Sequence, residues 1–325
     1  MSKITMRQAL NDAIKEEMRR DDKAVVFGED VAKMGGIQGV TKGLLEEFGG
    51  ERVFDTPIAE ATIIGASLGM ALTGLRPITE FQFADFISIA FDEIFNKLGK
   101  WRYMHGGNFE VPVTLRLPVG AAGGAGAEHS QSPQALFMHS QGLYLVIPSN
   151  PSDAKGLLKQ AIRNPNPVLF FEHKLLYDVE GEVEEGDYTI PFGEAVVKRE
   201  GKDVTVVATA YQLQSALQAA EKLAEEGIDV EVIDPRTLIP LDKQTILESL
   251  NKTGRLVIAH EEPKRGGTGA ELSAIIAEEA IFNLKAPIKR VAGPDVPIAQ
   301  NLHLEKYYRP DVEEISAGIK EVMQY

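Results

Sequence analysis

LYLVIPSNPSDAKGLLKQAIRNPNPVLFFE, Leu143–Glu172, runs through a strand, a helix and a second strand in turn. Leu143–Pro148 is an apolar run of strand length. SNPSDAKGLLKQAI starts a helix near Ser149 or Ser152, and Val168–Glu172 (VLFFE) is again an apolar strand. Apolar strands joined through a helix are the unit of a parallel sheet covered on both faces.

The same alternation extends outward. Upstream, Thr5–Arg20 reads as a helix behind a Thr cap, with Met6, Ala9, Leu10, Ala13, Ile14 and Met18 at helical spacing. Ala24–Gly28 is a short buried strand, Glu60–Gly74 a glycine-studded helix and Pro77–Phe81 a strand. Asp85–Arg102 reads as one long helix and Val111–Leu117 as a strand. Asp178–Asp187, acidic and carrying two glycines, starts a linker. Beyond it come the strand Asp203–Thr209, a helix over Gln212–Glu226 and the strand Asp229–Asp234. A helix from Asp242, the strand Arg255–His260, a helix near Gly269–Phe282 and a strand near Lys289–Val291 follow. The expectation is therefore α/β, with two doubly wound domains.

Bulk composition narrows the function. A 325-residue chain that is 44% hydrophobic has core enough for two domains. Its net charge of −14 argues against nucleic-acid binding and fits a basic protein partner. With no cysteine there is no disulfide, thiolate nucleophile or Cys-ligated zinc. The N-terminal twenty residues are too charged for a signal peptide. The apolar stretch Ile63–Leu75 is too short to span a bilayer. The expected setting is the cytoplasm, with no membrane partner.

Gly120–Ser132, GAAGGAGAEHSQS, is the stretch that points to chemistry. Glycines permit sharp turns and close approach of a large ligand. They deliver Glu128, His129, Ser130 and Gln131 after an apolar strand, and a histidine moves protons near neutral pH. Yet there is no Walker loop, and no GxGxxG opens a helix after the first strand. Acid–base groups without a phosphate anchor suggest half of a shared site. The remaining histidines, at 105, 139, 173, 260 and 303, are too scattered for a metal cluster.

An ordered set of motifs carries a family resemblance. FGEDVAKMGGIQGVTKGLLEEFG (Phe27–Gly49), RVFDTPIAE (Arg52–Glu60), GLRPITEFQFADF (Gly74–Phe86) and RYMHGG (Arg102–Gly107) are its first half. AEHSQS (Ala127–Ser132), IPSNPSDAKGLL (Ile147–Leu158), IDPRTLIPLD (Ile233–Asp242) and KTGRLVIAHE (Lys252–Glu261) are its second. Together they resemble the β subunit of the decarboxylating component of 2-oxo acid dehydrogenase complexes, over essentially the whole chain. That family includes pyruvate, branched-chain 2-oxo acid and acetoin dehydrogenases, all dependent on thiamine diphosphate.

The resemblance implies a transketolase-like fold. A pyrimidine-binding domain is expected over residues 1–185, a linker over 186–202 and a transketolase C-terminal domain over 203–325. It implies a pyruvate dehydrogenase type of activity with acyl transfer to lipoamide. Acetoin cleavage is the alternative, because the 35–49, 83–92 and 102–107 segments look like acetoin-type chains. More distant readings are a split transketolase or deoxyxylulose-phosphate synthase half, and a non-catalytic α/β binding module. EHSQS and SNPSDAKGLL speak against the split enzymes, and the presence of Glu60 and His129 against the module.

Residue by residue, the resemblance assigns roles. From spacing alone Glu60 is a helix-start glutamate favoured by the macrodipole. The resemblance makes it the catalytic carboxyl at the aminopyrimidine ring nitrogen, where it must share a proton readily. His129 becomes the second catalytic group, serving either acyl transfer to lipoamide or substrate orientation. Gln82 and Phe86 lie at the aminopyrimidine, with Phe86 stacking on it for roughly 0.5–1.5 kcal/mol beyond burial. Glu29, also carried over as a cofactor contact, stands in an acidic, water-filled passage between paired active sites, or is a solvated strand-end carboxylate. Val113, Ala161, Asn164 and Asn166 are carried over as carbonyl ligands of a monovalent cation, potassium; relatives often have Asp at position 164. Family members hold the diphosphate through magnesium and a GDG motif, and no GDG occurs here. The resemblance therefore places magnesium and diphosphate on an α subunit, in an assembly of two α and two β chains. It also implies that a lipoyl acyltransferase core docks through its basic subunit-binding domain on the acidic C-terminal region.

Overall fold

The computed structural model describes residues Met1–Tyr325. The chain divides into two units: Met1–Val119 with Leu136–Phe192, and Gly120–Ala135 with Gly193–Tyr325. Each is built on its own sheet.

In the first unit the strands are β1 Ser2–Thr5, β2 Ala24–Gly28, β3 Val53–Asp55, β4 Arg76–Glu80, β5 Thr114–Val119, β6 Tyr144–Val146, β7 Val168–His173 and β8 Glu180–Val183. Six of them lie in the order β6-β7-β5-β4-β2-β3 and are parallel throughout. Every residue of β2, β5 and β7 is buried. This is the burial that mainly apolar runs imply for a sheet covered on both faces. Helix Met6–Arg20 opens on Thr5, whose hydroxyl accepts the Gln8 N–H, and packs against helix Pro151–Arg163. The latter opens on Asn150, whose side chain accepts the Asp153 N–H, with Pro151 in the first turn. Buried Lys155 and Lys159 both pair with Glu16 at 2.7 Å across this contact.

Chain order against spatial order locates a switch point. From β2 the chain moves outward to β3, then crosses to the other side of β2 to form β4. The carboxyl ends of β2 and β4 therefore flank a reversal, the place where open parallel sheets form a crevice. Gly28 is required there: a Cβ would lie 2.5 Å from the Glu80 carbonyl oxygen.

The second unit contains β9 Val196–Arg199, β10 Val204–Ala208, β11 Val230–Asp234, β12 Thr237–Ile239, β13 Leu256–Pro263 and β14 Lys289–Gly293. Its sheet runs β14-β13-β10-β11-β9, parallel except for β9, which is antiparallel to β11. Leu213, Ala216, Ala220 and Leu223 of helix Tyr211–Ala224 join Ile315, Ile319 and Val322 of helix Val312–Met323 in one core with the strands. Helix Lys243–Thr253 is capped by Asp242.

Three expectations change. Asp85–Arg102 is not one α-helix: Ala84–Ser88 is a 3₁₀ turn, Glu93–Leu98 a π segment and Gly99–Met104 an α-turn. The apolar spacing gave no sign of this: buried Ala84, Ile87, Ala90, Ile94 and Leu98 all fall on one face of a 3.6-residue helix, so the break is not written in the local pattern. Next, the acidic stretch 178–187 contains β8, which pairs antiparallel with β1. An N-terminal strand supplies the backbone partners that the local composition gave no sign of. Finally, within the expected linker 186–202, Val196–Arg199 forms an edge strand of the second sheet. The units part between Phe192 and Gly193, and the segment Gly120–Ala135 groups with the second.

Candidate active site

The acidic candidates of the first unit all emerge at strand carboxyl ends. Glu29 follows β2 directly, Gln82 and Phe86 follow β4, and Glu60 opens the helix that follows β3. Glu60 is the first residue of helix Glu60–Leu72, with a side chain only 4% exposed. Ala59 at the N-cap offers no side chain to the first-turn amides.

Glu29 is 5% exposed, and its Oε1 has no hydrogen-bond partner. Burial pushes its carboxyl up to about 7, and the charges of Glu60 and Asp30 add to the shift. A carboxyl that titrates near neutrality beside a second buried carboxyl is suited to holding or passing a proton. Asp30 adopts a left-handed backbone, φ 57°, and accepts a 2.8 Å hydrogen bond from the Gln82 side-chain amide. That bond fixes Gln82 across the switch point. Phe86 lies in the 3₁₀ turn and meets Phe83 edge-on, with ring centroids 6.4 Å apart. The structure thus brings Glu29, Glu60, Gln82 and Phe86 to one end of one sheet.

His129 belongs to the other unit. Its N–H donates to the Gly126 carbonyl at 3.3 Å, inside the glycine-rich segment.

The four carbonyl candidates cluster between β5, the end of helix Pro151–Arg163 and the start of β7. Val113 O accepts Val168 N–H at 2.9 Å, and Ala161 O accepts Asn164 N–H at 3.1 Å. Asn164 is the C-cap of that helix, and its side chain accepts Asn166 N–H at 2.9 Å. The Arg76 guanidinium donates to Asn164 O at 3.2 Å, and Arg102 donates to the Asn166 side chain at 2.6 Å.

Comparison with known families covers both halves of the chain. Residues 2–180 match the transketolase pyrimidine-binding domain and residues 193–315 the transketolase C-terminal domain. The 2-oxoisovalerate dehydrogenase subunit beta of Bacillus subtilis is 46% identical over 327 residues, covering 100% of both chains. The chain belongs to the dehydrogenase E1 β-subunit family.

Other relatives of this β subunit divide by activity. The pyruvate dehydrogenase E1 component subunit beta of Rickettsia felis is 46% identical over 322 residues, covering 99% of each chain. The acetoin:2,6-dichlorophenolindophenol oxidoreductase subunit beta of Bacillus subtilis is 46% identical over 332 residues, covering 98% of this chain and 97% of the relative. Among solved structures, a split-gene transketolase described as an inactive beta4 tetramer superimposes with a TM-score of 0.83 at 26% identity, covering 99% of each chain. The transketolase-like expectation for the fold is met.

Sequence reasoning missed two features of the β subunit's first unit. One is Asp30, which orients Gln82. Its signal is weak, since Asp is among the few non-glycine residues that tolerate a left-handed backbone. The other is a buried ionic group. Arg116 of β5 lies between Glu80 of β4 and Glu172 of β7. It donates to Glu172 at 2.7 Å and 2.6 Å and to Glu80, while Tyr177 donates to Glu172 at 2.7 Å. Burial raises the Glu80 carboxyl above its usual range, against the opposing pull of Arg116. Its Oε1 makes no hydrogen bond. Charges inside apolar strand runs, as in TLRLPV and VLFFEH, were the available signal, because unpaired charges are not buried.

Proposed function

We propose that this chain is the β subunit of a thiamine-diphosphate-dependent 2-oxo acid dehydrogenase component of the pyruvate type, transferring the acyl group to lipoamide. The observation that carries the proposal is the pair of buried carboxyls, Glu60 and Glu29, at the switch point of a transketolase-type pyrimidine-binding domain. The unpaired Glu29 oxygen and the helix-terminal Glu60 fit a cofactor that requires proton exchange at a ring nitrogen. When bound, thiamine diphosphate supplies the nucleophilic carbon that attacks the 2-oxo group.

Glu60 holds and returns the proton at the aminopyrimidine ring nitrogen. Phe86 stacks on that ring, Gln82 contacts it, and Glu29 sets the local acidity. His129 supplies a proton as the lipoyl disulfide opens. An α subunit binds the diphosphate and its magnesium, in an assembly of two α and two β chains. The subunit-binding domain of a lipoyl acyltransferase core docks on the second unit. The whole operates in the cytoplasm; no helix is long and apolar enough to cross a membrane. Potassium on the carbonyls of Val113, Ala161, Asn164 and Asn166 is part of the same reading. Because Arg76 already holds Asn164 O, the ion must use that oxygen's second lone pair. The domain division of the reading is a pyrimidine-binding domain over 1–185 and a C-terminal domain over 203–325. A second reading, acetoin cleavage, draws on the acetoin relative at 46% identity.

The test is Glu60→Gln in the α–β complex. Hydrogen–deuterium exchange at the thiazolium carbon should slow by about 10²–10⁴-fold, the usual contribution of a positioned acid–base group. Wild-type exchange rates would remove Glu60 from the mechanism. Assay of the wild-type complex with pyruvate, branched 2-oxo acids and acetoin, using an artificial acceptor, separates the two substrate readings.

A further inference from the structure

The segment that carries His129 has little structure of its own. Gly120, Gly123, Gly124 and Gly126 adopt left-handed φ values of 94°, 76°, 69° and 81°. No helix or strand forms between β5 and Gln134. Two internal hydrogen bonds bend it, Gly120 N–H to Gln131 O at 3.2 Å and His129 N–H to Gly126 O at 3.3 Å. A glycine-rich chain has the most conformational freedom to lose, so a fixed histidine there requires anchors from elsewhere.

The second unit supplies such anchors from two places. Glu261, near the carboxyl end of β13, accepts the Ala121 N–H at 2.5 Å. Glu305, at the end of the short helix Leu302–Glu305, accepts the Gly124 N–H at 2.6 Å. Arg309 donates to Ala121 O and, at 2.9 Å, to the other oxygen of Glu305. Glu261 and Glu305 are each only 3% exposed. Buried charge-assisted bonds of this kind are shorter and stronger than neutral ones. Around them, Ala121 packs on Ile298 and Tyr308. A methyl group at Gly126 would come within 3.1 Å of Gln300. Burial and the charges of Glu261 and Glu262 push the Tyr308 hydroxyl up to about 12, so it stays protonated beside this network.

The location is informative. In the order β14-β13-β10-β11, the order in which the strands are added reverses between β10 and β13, which run parallel. Open parallel sheets take ligands at the carboxyl ends beside such a reversal. Here Glu261, on that end of β13, receives the protein's own backbone.

We propose that Glu305, Arg309 and Glu261 are positioning residues: they clamp Ala121 and Gly124 and thereby fix the segment from which His129 works. The inference rests on the reading of His129 given above. It assigns the second unit a part in the acyl-transfer step, through residues that touch neither substrate nor cofactor.

Hydrogen–deuterium exchange of the full-length chain tests the clamp directly. In Glu305→Gln one face of the side chain turns from acceptor to donor, so the bonds to Gly124 N–H and to Arg309 no longer coexist. Exchange of the amides from 121 to 129 should rise by about 10–100-fold, the equivalent of one hydrogen bond to a charged group. Arg309→Lys, which keeps the charge, should raise it less and serves if the first variant folds poorly. Glu313→Gln, at an exposed carboxylate paired with Lys222, should leave these amides unchanged. Unaltered exchange in both clamp variants overturns the proposal.

In the α–β complex, Glu305→Gln should lower transfer to a lipoyl domain more than decarboxylation measured with an artificial acceptor, as His129→Ala should. If His129→Ala shifts that ratio and Glu305→Gln loosens the segment without shifting it, the positioning role is refuted. If His129→Ala itself leaves the ratio unchanged, the reading of His129 fails, and the exchange rates alone decide whether the clamp exists.

Discussion

Replacing Glu29 with Gln should make the first unit progressively more stable than the wild type as pH rises through 7. The folded-state value of about 7 lies above the ordinary 4.5, because burial and then the charges of Glu60 and Asp30 penalise the ionised form. The folded chain therefore holds this proton more tightly than the unfolded chain. The resulting stabilisation is complete below about pH 4.5 and is lost as pH rises through 7. At about 1.4 kcal/mol per pKa unit the full shift is equivalent to about 3 kcal/mol. Screening by nearby solvent lowers that to roughly 1–2 kcal/mol. Glu29→Gln keeps the shape of the side chain and removes its ionisation. Its stability relative to wild type should thus climb by roughly 1–2 kcal/mol between about pH 4 and pH 8 and level off above that. For a unit of this size that is a relative gain in Tm of about 2–8 °C. Trp101, the single tryptophan, lies in the first unit and reports its unfolding by fluorescence. A difference between the two proteins that stays constant across this range, or shrinks with rising pH, would refute the account of Glu29.

Two further outcomes are expected. Arg116→Met leaves Glu80 and Glu172 buried without their shared cation, and should destabilise the first unit by about 3–5 kcal/mol; adding Glu80→Gln should recover part of the loss, with Trp101 fluorescence in urea as the measure. The isolated chain should bind thiamine diphosphate and magnesium weakly by titration calorimetry, and addition of the α subunit should produce tight binding with a higher Tm by mass action; micromolar binding without α would contradict the shared-site reading.

The sequence by itself determined most of the strands and helices and their order, though not β8, β9 or the break within 85–102. Ala24–Gly28 is the buried strand its five apolar or small residues imply, and Thr5 and Asp242 cap the helices they precede. These features are local: an apolar run or a side chain that accepts a first-turn amide acts within one turn of chain. Helix Val312–Met323 was also within reach. Its capping box, Asp311 with Glu314, and the apolar series Ile315, Ile319 and Val322 are both visible in the sequence.

Tertiary structure decided what those elements bring together. The residues 29, 60, 82 and 86 meet at one sheet end because the chain crosses β2 between β3 and β4, and no local pattern encodes that crossing. The Asp30–Gln82 bond, the partnership of Arg116 with carboxylates on two flanking strands, and the pairing of β8 with β1 are likewise long-range, and no local pattern encodes them. The same holds for the grouping of Gly120–Ala135 with the second unit, where Glu261, Glu305 and Arg309, far along the chain, grip its backbone. Periodicity records how one element divides between core and solvent. Buried polar groups must instead find partners wherever the topology places them, and that choice is made only when the strands assemble.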